Sequence, residues 1–172
     1  MDSLLDSMIS FAATGEIGPF RLGMPGGEAD LLLGGGTALG APAAARPAED
    51  GDAGVKDGSL EVWAGPDGLV HLLGFDAVDT AGRFAAPSRA GTAGRGATGS
   101  TEATEVIEAP TREAVLDGLR RTGCRWRDDD ALTFDDQLAV QTQAGVSVVF
   151  SRPRPPADGW VLASLYRSAD RR

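Results

Sequence analysis

The chain is poor in the side chains that enzyme and metal sites most often use. Its 172 residues include one cysteine, Cys124, one histidine, His71, and one lysine, Lys56. A lone cysteine excludes an intrachain disulfide and a metal site built from paired cysteines. The other fifteen basic residues of the 16 are arginines. This arginine bias, together with abundant Ala, Gly and Pro, is typical of a high-GC genome.

Basic charge and long apolar runs are also scarce. The formal net charge is −9 and the sequence pI is about 4.5, which disfavours binding to nucleic acid or to anionic membranes because both depend on a basic surface. No apolar run approaches the ~20 residues of a membrane-spanning helix. Residues 1–6 carry acidic side chains where a signal peptide needs basic ones. We therefore expect a cytoplasmic protein with no nucleic-acid or membrane partner.

The clearest structural pattern runs from residue 110 to residue 150. Thr111 can cap a helix with apolar residues on one face, and Gly123 can end it. Period-two alternation then predicts an antiparallel meander with segments at 132–134, 138–142 and 146–150. Between helix and sheet we expect a buried set consisting of Leu116, Leu119, Phe134, Val140, Val148 and Leu162.

Weaker patterns outline the rest of the fold. They predict a helix over 3–13, a shorter helix after Gly27, a hairpin over 60–73 and a last strand over 160–166. Pro66-Asp67-Gly68 supplies the hairpin turn, because proline presets φ and glycine accepts a positive φ. The expected fold class is α+β, with an antiparallel sheet of hairpins and a meander, helices packed on one face, and two long flexible loops.

The two loops are the stretches 37–57 and 81–105, which lack periodic apolar residues. Ordering them would cost ~1–2 kcal/mol per residue with little burial in return. The chain length suits a single domain over 1–172. The alternative is two α/β halves, 1–80 and 106–168, joined by the linker 81–105, since each half offers a helical segment followed by strands.

A family resemblance lies in residues 17–34, which read Ile-Gly-Pro-Phe-Arg-Leu-Gly-Met-Pro-Gly-Gly-Glu-Ala-Asp-Leu-Leu-Leu-Gly. This stretch resembles the motif G-M-(S/T)-x-x-E-V-x-x-L-L-G of small α+β proteins: β-lactamase-inhibitor-like and outer-membrane assembly lipoprotein-like families, and uncharacterised actinobacterial immunity-like proteins. The residues in register are Gly23, Met24, Glu28, Leu32, Leu33 and Gly34. Pro25 and Ala29 depart from the pattern. The resemblance implies helices on one face of an antiparallel sheet and no activity.

His71 and Cys124 could in principle pair as a base and a thiol nucleophile. His71 lies in a predicted strand and Cys124 at a helix end, and no flanking motif of a thiol-enzyme family accompanies either residue. Arg120, Arg121 and Arg125 near the cysteine could lower its pKa. Structural roles for both side chains are the favoured interpretation.

Five aspartates bracket the segment 132–134, namely Asp128, Asp129, Asp130, Asp135 and Asp136. Clustered carboxylates can hold Ca²⁺ or Mg²⁺, but the Asp-x-Asp-x-Asp-Gly spacing and the distal Glu of a dedicated loop are missing. They can also keep a hairpin end solvated. We expect them to bind a basic protein surface, with Trp126 beside them as the anchor.

The sequence predicts no catalytic, metal or cofactor site and favours a non-enzymatic acidic protein-binding module. By analogy with the inhibitor-like families, that module would be an immunity-type protein that neutralises a toxin. The alternative is a small enzyme, or a ligand- or metal-binding domain, that uses His71, Cys124 or the Asp128–Asp136 cluster.

Overall fold

The computed structural model describes residues 3–40, 52–79, 82–87, 105–152 and 159–169. The helices are α1 (Leu4–Thr14), α2 (Gly26–Leu32) and α3 (Arg112–Arg121), with short 3-10 turns at Ala38–Gly40 and Asp130–Leu132. The strands are β1 (Ala53–Asp57), β2 (Leu60–Ala64), β3 (Val70–Asp76), β4 (Phe84–Ala85), β5 (Val106–Ile107), β6 (Trp126–Asp128), β7 (Gln137–Thr142), β8 (Ser147–Ser151) and β9 (Val161–Ser168). The predicted α+β class is confirmed.

Seven strands form one antiparallel sheet in the order β1-β2-β3-β9-β8-β7-β6, and β4 pairs with β5 in a separate two-stranded sheet. The meander β1–β3 comes from the first half of the chain and the meander β6–β9 from the second. They meet where β3 pairs with β9, which places Gly74 opposite Tyr166. The sheet is therefore continuous across both halves of the sequence.

Helices α1 and α3 pack together on one face of this sheet. The Ser3 hydroxyl accepts a hydrogen bond from the Asp6 backbone at the start of α1, and the Asp6 carboxylate accepts in return from the Ser3 backbone. At the crossing, a Cβ added to Gly118 would lie 2.7 Å from Cδ1 of Ile9. Glycine thus allows the two helices their close approach.

The core lies between these helices and the sheet. On the α1 side, the rings of Phe11 and Phe75 meet edge to face with centroids 5.9 Å apart, which ties α1 to β3. Five of the six residues predicted to be buried are so: Leu116, Leu119, Val140, Val148 and Leu162. Helix α3 and the strands β7 and β8 therefore pack as their apolar spacing predicts.

The prediction for Phe134 is wrong, because its side chain is 60% exposed. No strand forms over 132–134. Instead the chain makes the second 3-10 turn, and the Phe134 and Gln137 backbones then exchange two hydrogen bonds of 2.8 and 3.2 Å. Asp135 and Asp136 are the two central residues of this tight turn. The alternation seen over residues 132–134 therefore does not continue into a paired strand. The strand that pairs with β7 on its outer side is β6, which the apolar spacing did not reveal.

The loop prediction for 37–57 is wrong at its end, where residues 53–57 form β1. Val55 pairs with Val62 of β2, and Ala53 is buried, but two apolar residues are too few to set a visible period. Phe84 of β4 is likewise fully buried inside the stretch 81–105. Residues 37–40 of the first predicted loop are also described and include the buried Leu39, whereas residues 41–51, 81 and 88–104 lie outside the described residues.

Candidate functional site

The acidic loop, defined here as residues 128–136, lies at the outer edge of the sheet where β6 ends and β7 begins. It is fixed to β7 by hydrogen bonds. The Asp129 amide donates to the Ala139 carbonyl at 3.0 Å, and the Ala139 amide donates to Thr133 Oγ1 at 3.2 Å. Gln137 Nε2 donates to the Leu132 carbonyl at 2.7 Å. These hydrogen bonds fix the backbone from which the side chains of the acidic loop project.

The structure brings the five predicted aspartates together on this one loop. All except the half-buried Asp129 are exposed. Within the part of the chain that the structure describes, none of the five forms an ion pair, and no group of three or more His, Cys, Asp or Glu side chains is arranged to hold a metal ion. The loop thus carries a concentrated negative charge that no described cation neutralises.

Phe134 stands between the two groups of aspartates. It is a large apolar side chain with most of its surface in water, so leaving it exposed forgoes part of the ~1.5–3 kcal/mol that full burial of such a residue contributes. Sequence reasoning placed it in the core. A Phe-Asp-Asp-Gln turn directly ahead of β7 was the available signal, since aspartate is a turn former and a poor strand former.

Trp126, the expected anchor, is the first residue of β6 and lies outside the acidic loop. Its side chain is half-buried against the core, where β6 pairs it with Thr142. The Arg120 guanidinium carbon lies 5.5 Å from the ring centroid, a cation–π arrangement. Arg120 also pairs with Asp117 one turn earlier on α3. Phe134, rather than Trp126, is the aromatic side chain that the acidic loop offers to solvent.

His71 and Cys124 have separate partners. His71 Nε2 lies 3.4 Å from the Asp52 carboxylate. Cys124 is 4% exposed, with its sulfur directed at the carbonyls of Ala12 and Arg125. Burial raises the pKa of the Cys124 thiol, against a smaller opposing contribution from a backbone hydrogen bond of Gln143. A raised pKa keeps the thiol protonated, the opposite of what a nucleophile needs.

The sheet face opposite α1 and α3, here named the open face, carries a second set of polar side chains. Side chains alternate between the two faces of a strand, so the register places one row of side chains across all seven strands. That row is Lys56, Glu61, Gly74, Tyr166, Ser147, Gln141 and Arg127. In the neighbouring row, a Cβ added to Gly54 would fall 2.4–2.6 Å from three ring atoms of Trp63, so the indole lies flat on that glycine.

Comparisons of the chain with protein-family models, with curated proteins and with solved structures found no match. Among the described residues, no helix combines the length and the apolar character needed to cross a membrane.

Proposed function

We propose that this chain is an acidic, non-enzymatic protein-binding module that docks on a basic surface of its partner through the acidic loop. The observation that carries the proposal is the exposed Phe134 side chain set among five aspartates that lack ion-pair partners in the described residues. A central aromatic anchor within a polar rim is the usual arrangement of a binding hot spot.

The loop's charge supports a basic partner. Aspartates held close together on one loop repel one another, and a cationic surface would relieve that repulsion. Exposed charges of this kind act mainly on the rate of encounter, and salt screens them over ~8 Å at physiological ionic strength. In this proposal the aspartates steer the partner and Phe134 supplies the apolar contact that holds it.

The finer part of the proposal is an immunity-type role, in which the partner is a toxin that the chain neutralises. Its support is the resemblance of residues 23–34 to the motif of inhibitor-like and immunity-like proteins. A protein inhibitor needs a surface that is complete in the free state, because ordering a segment on binding lowers affinity. The hydrogen bonds of Thr133 and Gln137 hold the acidic loop in place before any partner arrives.

The test is affinity capture from the native host with the wild type and four matched variants as baits, followed by binding kinetics on the captured protein. Phe134→Ser removes the anchor, and Leu31→Ser is its control because Leu31 is 76% exposed on α2. We expect Phe134→Ser to weaken binding at least tenfold, since hot-spot truncations cost ~2 kcal/mol or more. Leu31→Ser should bind as the wild type does.

The charge variants separate the effect of the acidic loop on the association rate from its effect on the dissociation rate. Asp128→Asn/Asp130→Asn removes two exposed charges of the acidic loop, and Glu16→Gln/Glu113→Gln removes two exposed charges elsewhere. The first pair should slow association and flatten its salt dependence, while dissociation stays the same. The second pair should change neither. Equal capture by the wild type and by Phe134→Ser would refute the docking surface.

A growth assay decides the immunity role. If the captured partner is a toxin, its expression alone should arrest growth, and co-expression of the wild-type chain should restore growth. Co-expression of Phe134→Ser should restore growth poorly or not at all. A captured partner whose expression leaves growth unaffected would contradict the immunity role and leave the binding function in place.

A further inference from the structure

Strands β7, β8 and β9 form a part of the open face that contrasts with the rest of this acidic protein. Residues 137–142, 147–151 and 161–168 contain no Asp or Glu, although the chain has 25 of them. On the β1–β3 side of the same face, Glu61 and Asp76 are present and both pair with Lys56, at 3.1 and 3.0 Å. The β6 end of the face carries positive charge that forms no ion pair within the described residues.

That charge comes from Arg125 and Arg127. Gln141 lies opposite Arg127 in the β6–β7 register, and its Oε1 accepts a hydrogen bond from Arg127 Nη2 at 2.8 Å. One step beyond the strand, Gln143 Oε1 accepts from Arg125 Nε at 3.4 Å, and the Gln143 amide donates to the Arg125 carbonyl. Residues two apart on a strand share a face and lie ~6.5–7 Å apart. The four side chains form what we name the arginine–glutamine strip.

The strip borders a depression of about 480 Å³ that Gly145 also lines. Arg125 and Arg127 are both exposed residues, and within the described residues neither forms an ion pair with a carboxylate. A guanidinium has five N–H donors, and each glutamine oxygen takes only one, so most of the fork stays available. The glutamines thus fix the direction of the two arginines without neutralising them.

We propose that the arginine–glutamine strip is a binding site for a single oxyanion group, a phosphate or a carboxylate, held by Arg125 and Arg127. Paired guanidinium forks bind such groups through charge-assisted, bidentate hydrogen bonds. Gln141 and Gln143 are positioning residues. The acidic loop begins at Asp128, directly after Arg127, and its charge repels a long polyanion more strongly than a single anionic group. This site is separate from the docking surface of the acidic loop, and either can fail without the other.

Titration of the ¹⁵N-labelled protein tests the proposal. Sodium phosphate, sodium succinate and sodium chloride are added at constant ionic strength, and the Nε–H signals of arginine and the side-chain amides of glutamine are followed by NMR. We expect saturable shifts of Arg125, Arg127, Gln141 and Gln143, with half-saturation at or below about 20 mM, a range typical of weak single-group binding. Chloride should cause none.

The two anions distinguish the source of the oxyanion. Saturation with phosphate but not succinate assigns a phosphate ligand, and the reverse assigns a carboxylate, such as one on a protein or metabolite. Saturation with both assigns a general oxyanion site. The absence of saturable shifts with either anion, or saturable shifts that map to other residues, overturns the proposal. This mapping uses the wild-type protein, so it stands even if a variant fails to fold.

Variants test the roles of the residues. Arg125→Gln/Arg127→Gln should weaken binding of the effective anion at least tenfold, whereas the charge-matched control Arg21→Gln/Arg121→Gln, on other elements, should leave it within twofold. Gln141→Ala should weaken binding by about two- to fivefold while the Arg127 signal broadens, since the guanidinium loses its orienting acceptor. Equal weakening by the two double variants would show a general charge effect and overturn the site.

Discussion

Leu119 offers the sharpest test of how α3 packs on the sheet. Its side chain is fully buried in the middle of the core. Its backbone carbonyl accepts hydrogen bonds from the Cys124 amide at 3.0 Å and from Thr122 Oγ1 at 2.9 Å. Replacement of Leu119 by Ala keeps these bonds and removes three side-chain carbons. The change in the free energy of unfolding therefore reports mainly the packing of this side chain.

The magnitude follows from the burial. The three lost carbons count as three CH₂ equivalents at ~0.8 kcal/mol each, about 2.4 kcal/mol, and the cavity left behind raises the total to ~2–5 kcal/mol. Alanine's better helix propensity returns only a few tenths of a kcal/mol. A domain of this size is typically stable by ~5–15 kcal/mol, so the variant should fold with a much smaller margin.

Urea unfolding monitored by tryptophan fluorescence measures the loss. With an m-value of ~2 kcal/mol/M, the midpoint should fall by about 1–2.5 M at unchanged m. The control is Leu31→Ala, which truncates the same side chain at an exposed position of α2 and should stay within ~0.5 kcal/mol of the wild type. If Leu119→Ala behaved like Leu31→Ala, α3 would not pack on the core as described.

Four further predictions concern the helices and the buried thiol. Thr111→Ala should lower the free energy of unfolding by ~1 kcal/mol in the same urea assay, because Thr111 Oγ1 accepts the capping hydrogen bond from the Ala114 amide at 3.2 Å. An unchanged midpoint would mean that the cap is dispensable. Gly118→Val should lower the free energy of unfolding by ~1–3 kcal/mol, because the valine Cβ would clash with Ile9 where α1 and α3 cross. No change in stability would mean that the two helices can move apart at little cost. Cys124 should react with a disulfide reagent far more slowly in the folded protein than in urea. Because burial raises the pKa of Cys124 above its ordinary 9.0, its contribution to stability is full below about pH 9 and is lost as the pH rises towards the folded pKa. Cys124→Ser should therefore show a smaller loss of stability above pH 9, and identical pH profiles would contradict this assignment.

Local sequence signals were sufficient to predict the helices and strands whose limits depend on neighbouring residues. Ser3 and Thr111 cap the helices that they were expected to cap, and Gly123 has the positive φ of 72° of a helix terminator. The alternation in β7 and β8 placed Val140 and Val148 in the core. These features depend on contacts within a few residues, and such contacts are written directly in the sequence.

The pairing of strands depended on the tertiary structure. The contact between β3 and β9 joins residues about ninety positions apart, and nothing in either strand's short alternation specifies the other as its neighbour. β1 was missed for the same reason, since Val55 gains its burial from Val62 and not from its own neighbours in the sequence. A period of two identifies a face of a strand but not the strand that lies beside it.

The candidate sites also depend partly on the sequence alone and partly on the tertiary structure. The sequence by itself determined that five carboxylates lie close together, because they are neighbours in the chain. Whether Phe134 joins the core or faces solvent was decided by the turn in which its backbone pairs with Gln137 at the edge of the sheet. The arginine–glutamine strip is likewise a product of β6–β7 pairing, since Arg127 and Gln141 meet only through the register. Side chains from distant parts of the chain become a site when backbone pairing fixes them on one face, and that pairing is a property of the whole fold.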